Sequence, residues 1–234
     1  MDGLLTCIFT LYEKKQFDAE ILAEKDYTNL TFLELEHIQT DREKAKRVLA
    51  GCERKISSNF AKELYLLYLS DIPESGKIIR DYVKDGLTYG RYIYQYLHLP
   101  SVLEASRLLQ KVRREVDRLY GLVRFRKIDH VYVSDISPDH NVLPLLLFHF
   151  HSRLPLQDWV IRDTRRHLAL LHLDGNVDFL PYEGADLPSV ILDEFEDAWR
   201  EFYNSIAIPE RKNESLRRNY MPTRYWKNLT EFYQ

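Results

Sequence analysis

At 234 residues, with 45% hydrophobic and 29% charged positions, the chain has the size and composition of one large globular domain or two small ones. A net charge of −3 argues against nonspecific nucleic-acid binding through charge alone, and the longest apolar run, residues 142–150, is interrupted by Pro144 and His149 and is too short to span a bilayer. Only Cys7 and Cys52 are present, without CxxC or metal-ligand spacing, which predicts a reduced, cytoplasmic setting.

The chain opens MDGLLTCIFTLYEKK, which has no basic leading segment and does not read as a secretory signal. Leu4, Leu5, Ile8, Phe9 and Tyr12 instead mark the buried face of a helix over 3–15. A charged helix follows over 41–50. Ser57 or Ser58 can cap the next one, which carries Phe60, Leu64, Leu67 and Tyr68 and stops before Asp71-Ile72-Pro73. Two further helices are expected over about 74–85 and 87–97, separated near Gly86. The clearest helix is 101–120, with Ser101 and Glu104 as a capping box and Gly121 as a left-handed terminator. Its apolar stripe is Ala105, Leu108, Leu109, Val112, Val116 and Leu119. Arg107, Lys111, Arg114 and Arg118, spaced 4, 3 and 4 apart, share its other face.

After Gly121 the period changes to two. Val123-Arg124-Phe125-Arg126 and residues 130–136 alternate, predicting a hairpin turned around 127–129. SPDHNVLPLLLFHFHSRL then reads as a helix capped by Asp139 or Asn141, with Pro144 in its first turn and Leu143, Leu146, Leu147 and Phe150 buried. Strands are expected over 159–164 and 167–173, and Asp174-Gly175-Asn176 turns the chain into a strand over 177–180. An acidic stretch and an amphipathic helix over 189–204 lead to a basic, aromatic end. The fold class is therefore α+β: a helical half over 1–120, then a mostly antiparallel sheet with packed helices over 121–234. The order of its strands cannot be read from the sequence.

Charge is segregated along the chain. Residues 1–41 hold nine acids against three lysines, and 183–201 hold seven acids against Arg200. Residues 105–130 hold eight bases against three acids, and the segment from Pro209 holds six bases against three acids. Such a chain either presents a basic face or neutralises itself in the fold, and both readings stand at this point. The end segment, with Arg211, Lys212, Arg217, Arg218, Arg224, Tyr225 and Trp226, suits a nucleic-acid surface; equally, its rings can dock into the core while the bases reach outward.

His140, His149 and His151 suggest a metal at first sight, but ligands on a helix should sit at i, i+3 or i, i+4. Residues two apart diverge by about 200° on a helix, so this spacing works against a shared ion, and no metal or other cofactor is expected. No GxSxG, Walker loop or Cys–His pairing appears. Asp139 beside His140 can form an acid/base pair or a ligand clasp, and nothing local chooses between them.

GLVRFRKID, SPDHNVLPLLLFHFHSRLP, WVIRDTRR and SIAIPERKNESLRRNYMPTRYWKNL together resemble a bacterial DNA-metabolism or DNA-repair family, a domain of unknown function. In that family the domain stands beside a radical-SAM DNA-repair protein or is fused ahead of a uracil-DNA-glycosylase-like domain. The resemblance runs from Gly3 to Trp226, is densest after Gly121, and takes in Arg124, Arg126, Asp139, His140, Asn141, His149, Asp163 and an arginine at 165 or 166. It implies DNA as a partner, along with the radical-SAM or glycosylase-like companion, and no membrane.

Three expectations follow. In the first, the chain is a DNA-repair accessory whose phosphate contacts come from the helix stripe and the basic end segment, with Arg124, Arg126, Asn141 and Arg165 reading the substrate. In the second it is a DNA-processing enzyme using His140 with Asp139 or Asp163. In the third it is a scaffold that binds a partner and never touches DNA.

Overall fold

A computed structural model describes residues 1–17, 19–24, 35–182, 201–202, 205 and 213–229. The helix expected over 189–204 lies almost wholly outside the described residues, as do Arg211 and Lys212. The chain divides into two compact units, Met1–Arg113 and Arg114–Gln234. Among the described residues no helix is long and apolar enough to cross a membrane.

The first unit is helical: α1 (Asp2–Lys14), α2 (Arg42–Lys55), α3 (Ser58–Leu69), α4 (Ser75–Tyr89), a short 3-10 helix (Gly90–Gln95) and the first half of α5 (Pro100–Leu122). Asp41 caps α2 by accepting the Glu43 and Lys44 amides, and Ser57 caps α3 by accepting the Phe60 amide. Leu5, Ile8, Val48, Cys52, Phe60, Leu64, Leu67, Ile79, Val83 and Ala105 form its core.

Two expectations for these helices are corrected. Gly86 does not separate two helices; α4 runs through it. A Cβ there would meet Ile56 Cδ1 and Phe60 Cζ at 2.7 Å each, so this glycine permits a close approach by neighbouring side chains. The break comes at Gly90, where φ is 60° and ψ −142°, a conformation open to glycine. Nor does Gly121 take a left-handed conformation: α5 runs on to Leu122, and Pro100 begins it. The Ser101 hydroxyl donates to Asp85. The stripe from Ala105 to Leu119 is buried throughout, as its period requires.

The second unit contains the rest of α5 and a five-stranded sheet in the order β1 (Arg126–Ile128), β2 (Val131–Ile136), β3 (Trp159–Asp163), β4 (Leu168–Leu173), β5 (Asn176–Pro181). Three neighbouring pairs are antiparallel; β2 and β3 are parallel, joined through α6 (Leu143–Arg153). A parallel pair needs such a crossover, because a tight turn can only reverse the chain. The Asp174-Gly175 turn between β4 and β5 has φ of 50° and 75°, which places both central residues in the left-handed region and suits a two-residue hairpin. After Tyr182, the described residues resume most fully with α7 (Glu214–Tyr220) and a 3-10 helix (Thr223–Asn228).

One sheet face, carrying Ser134, Ile136, Trp159, Ile161, Asp163, Leu170 and His172, is buried. On it Trp159 stacks on His172 across the strands at 5.2 Å, and Phe150 and His151 of α6 meet these two rings. On the opposite face Asp135 and Arg162, register partners in β2 and β3, form a two-pronged ion pair at 2.7 and 2.8 Å. The first strand is shorter than the alternation suggests. Arg124 donates to the Gly121 and Val123 carbonyls at the end of α5, and pairing begins only at Arg126. Phe125 still packs inward, on Phe150 and Trp159.

Two outcomes test this packing. Gly86→Ala gains about 1 kcal/mol of helix propensity but overpacks Ile56 and Phe60 at a cost of roughly 1–3 kcal/mol; urea denaturation is expected to show a net loss of stability. His149 stacks on Tyr120 at 4.2 Å, and its Nε2 is buried without a hydrogen-bond partner among the described residues. Burial, then Arg153, lowers its pKa from the ordinary 6.5. The unfolded chain therefore takes up the proton first, and this contribution to stability is lost as pH falls below about 6.5. His149→Phe keeps the ring contact, so its urea midpoint is expected to fall less than that of the parent between pH 7 and pH 5.

Candidate functional site

Because β2 and β3 are parallel, their carboxyl ends lie side by side, and the loops leaving them, 137–142 and 164–167, meet beyond the strand ends in the middle of the sheet. The Thr164 amide donates to the Ile136 carbonyl at 2.9 Å, and the Ser137 and Thr164 hydroxyls are 2.7 Å apart. Loops at the carboxyl ends of parallel strands are a recurrent place for ligand sites.

Two buried carboxylates and a largely covered arginine hold these loops. Glu115 of α5 is 2% exposed, and its Oε1 and Oε2 accept the consecutive amides of Asp139 and His140 at 2.9 and 2.8 Å. The Tyr225 hydroxyl, brought by the C-terminal 3-10 helix, donates to the same Oε1. Arg166 takes the carbonyl side of the loop, donating to Pro138 at 3.1 Å and Asp139 at 2.7 Å. Asp163, wholly buried at the end of β3, pairs with Arg166 at 3.0 Å and accepts the Arg165 and Arg166 amides at 2.9 and 3.2 Å. Peptide groups of loop 137–142 are thus held from both sides by opposite charges, the condition under which buried ions are stable.

The electrostatics follow from burial. Burial pushes the Asp163 carboxyl above its usual value, opposed by Arg166 and the two amides. Burial and then the hydrogen bond to Glu115 push the Tyr225 phenol upward, so it remains a donor. Asp139 is where the network meets solvent. Its carboxylate, 44% exposed, takes Arg165 at 3.3 Å on Oδ1 and Arg224 at 2.9 Å on Oδ2.

The structure brings Asp139, the His140 backbone, Asp163, Arg165, Arg224 and Tyr225 into one network. Of the three residues read as acid/base candidates, only Asp139 offers its carboxylate to water; His140 is 9% exposed and Asp163 0%. Neither Asp139 nor Asn141 caps α6: Val142 is its N-cap, without a side-chain bond. The Asn141 Oδ1 is buried and lacks a hydrogen-bond partner among the described residues. Arg124 and Arg126 lie on the approach to and within β1. His149 and His151 turn to different partners, Tyr120 and His172, and no group of three or more metal-ligating side chains occurs among the described residues. Burial pushes the Cys52 thiol up to about 12, which removes it as a nucleophile at neutral pH.

Arg107, Lys111 and Arg114 are exposed on α5, the first two in the first unit and Arg114 in the second. Arg118 donates to the Asn219 carbonyl at 3.2 Å, joining α5 to the end of α7. On α7, Arg217 pairs with Glu214 at 2.7 Å and lies 5.0 Å over the Trp226 ring, while Arg218 is exposed. Trp226 donates its indole N–H to the Met221 carbonyl at 2.8 Å, and Tyr225 is 2% exposed. Of the described rings of the end segment, Tyr225 and Trp226 are docked while Tyr220 is exposed; Arg218 points outward, whereas Arg217 and Arg224 are engaged by partners.

Glu115 and Arg166 organise the site; Arg166 closes the WVIRDTRR motif, whereas no motif marks Glu115. The available signal for Glu115 was its place on α5: three residues after Val112 and four before Leu119, it puts an acid into the apolar stripe. An acid there must find partners inside. Glu115→Ala leaves two amides and a phenol unsatisfied, at about 1–3 kcal/mol each. It is expected to lower stability by several kcal/mol and to speed hydrogen exchange at Asp139 and His140 selectively, as read by NMR.

No curated protein and no solved structure matches the chain significantly. Residues 73–231, which include α4, α5, the whole sheet, the two clasped loops and the docked end segment, match a family described as Domain of unknown function (DUF4130). The match covers more than half of the sequence, and the chain belongs to that family.

Proposed function

We propose that this protein is a nucleic-acid-binding accessory of DNA repair, working beside a radical-SAM or uracil-DNA-glycosylase-like partner. The observation that supports binding most directly is the Arg118–Asn219 contact, because it sets the basic face of α5 in the second unit beside α7 and its exposed Arg218. Arg114 and Arg218 are both exposed, and neither forms an ion pair among the described residues. Three acids of the second unit, Glu115, Asp139 and Asp163, are occupied by Arg224, by Arg165 and Arg224, and by Arg166, respectively; Asp117 is the exposed acid beside the α5 stripe. A net charge of −3 is therefore compatible with a local basic surface able to neutralise phosphates. The DNA-repair context and the companions come from the family resemblance of the sequence motifs.

Fluorescence anisotropy with labelled single- and double-stranded oligonucleotides tests the proposal. Affinity is expected to fall steeply with salt. Arg114→Ala with Arg118→Ala should weaken binding about tenfold or more and reduce the log–log salt slope by about 1–2. Absence of binding at low salt, or binding indifferent to salt, excludes the proposal.

A further inference from the structure

The solvent-facing end of the site has the chemistry of an anion seat filled by the protein's own carboxylate. Arg165 comes from the turn after β3 and Arg224 from the C-terminal 3-10 helix, so two distant parts of the second unit aim guanidinium groups at one point. Each meets a different oxygen of Asp139, at 3.3 and 2.9 Å. The arginine side chains are 58% and 41% exposed and the Asp139 side chain 44%, so this point is open to water.

The main chain of Asp139 is fixed independently of its side chain. Its amide is held by Glu115 and its carbonyl by Arg166. The carboxylate can therefore rotate into solvent without disturbing loop 137–142 and without becoming a buried, unpaired charge. Guanidinium groups donate to phosphate oxygens as they do to carboxylate oxygens. Exchange of one anion for the other leaves both arginines partnered.

We propose that Arg165 and Arg224 form a phosphate-binding subsite which Asp139 occupies in the absence of nucleic acid, making Asp139 an internal competitor. That the phosphate belongs to DNA rests on the function proposed above; the seat itself requires only phosphate chemistry. The chemistry fits a strand-end phosphate or an internal phosphodiester, and the experiment separates them.

The full chain and the variants Asp139→Asn, Arg165→Ala and their combination are compared for binding of oligonucleotides with a 5′-phosphate or a 5′-hydroxyl, and for binding of inorganic pyrophosphate. Thermal melting checks that each variant is folded. Asp139→Asn is expected to tighten binding about fivefold, Arg165→Ala to weaken it by a similar factor, and the double variant to lose the gain. A gain confined to the 5′-phosphorylated strand assigns the seat to a strand end; an equal gain on both assigns it to the phosphodiester backbone. A folded Asp139→Asn protein that binds no more tightly than the parent overturns the proposal. So does a gain that persists in the double variant, since that marks a general charge effect. If DNA does not bind but Asp139→Asn tightens pyrophosphate, the seat stands and the nucleic-acid function fails. If DNA binds through Arg114 and Arg118 with no gain in Asp139→Asn, the function stands and the seat fails.

Discussion

The second unit depends on one buried carboxylate. Glu115 accepts two successive backbone amides and a phenol. An acid in an apolar stripe would ordinarily be costly, yet here each oxygen has a donor and Arg224 lies 3.5 Å away. Through those contacts a helix, a loop and the end segment are brought into register. Arg166 and Asp163 answer from the other side, so the loop is gripped by its N–H groups at one side and its carbonyls at the other. Opposite charges acting on opposite ends of the same peptide groups fix a backbone more tightly than either could alone.

That arrangement separates rigidity from reactivity. The buried carboxylates and the largely covered Arg166 set the shape, whereas the half-exposed charges, Asp139, Arg165 and Arg224, face water on top of it. The first unit has a comparable buried acid, Glu63, which accepts from Tyr82, Tyr94 and Asn59 and pairs with Arg113 at 3.5 Å. It too lies in an apolar stripe, between Phe60 and Leu67. In both units a helix gives up one core position to an ion that tethers tyrosines.

The elements were legible where a period or a turn chemistry governs them. The stripe from Ala105 to Leu119, the strand at Trp159, and the Asp174-Gly175 turn all follow from local rules. Pairing direction was not legible, because alternation at period two is the same in parallel and antiparallel strands; only the helix between β2 and β3 hinted at a crossover. Gly86 was misread because a glycine in a helix looks like a break until the side chains it must admit, Ile56 and Phe60, are seen. Asp139 and Asn141 looked like caps, but the Asp139 carboxylate turns to Arg165 and Arg224, and the backbone beside it is held by Glu115 and Arg166, most of them distant in sequence. The site was legible as a neighbourhood, Asp139 to Asn141 beside Asp163 and an arginine at 165 or 166, but its main support, Glu115, was not.

The hydrogen bond from Tyr225 to Glu115 spans 110 positions of sequence. During synthesis a chain emerges from its N-terminus, so α5 appears long before the residue that completes its buried acid. Until then Glu115 has no phenol to share its charge, and the nascent second unit carries an ion in a place built for a closed network. The segment around Tyr225 is thus a keystone rather than an appendage, and the same segment sets Arg224 beside Asp139. Closure of the buried network and formation of the exposed charge cluster therefore depend, for this unit, on the same few residues.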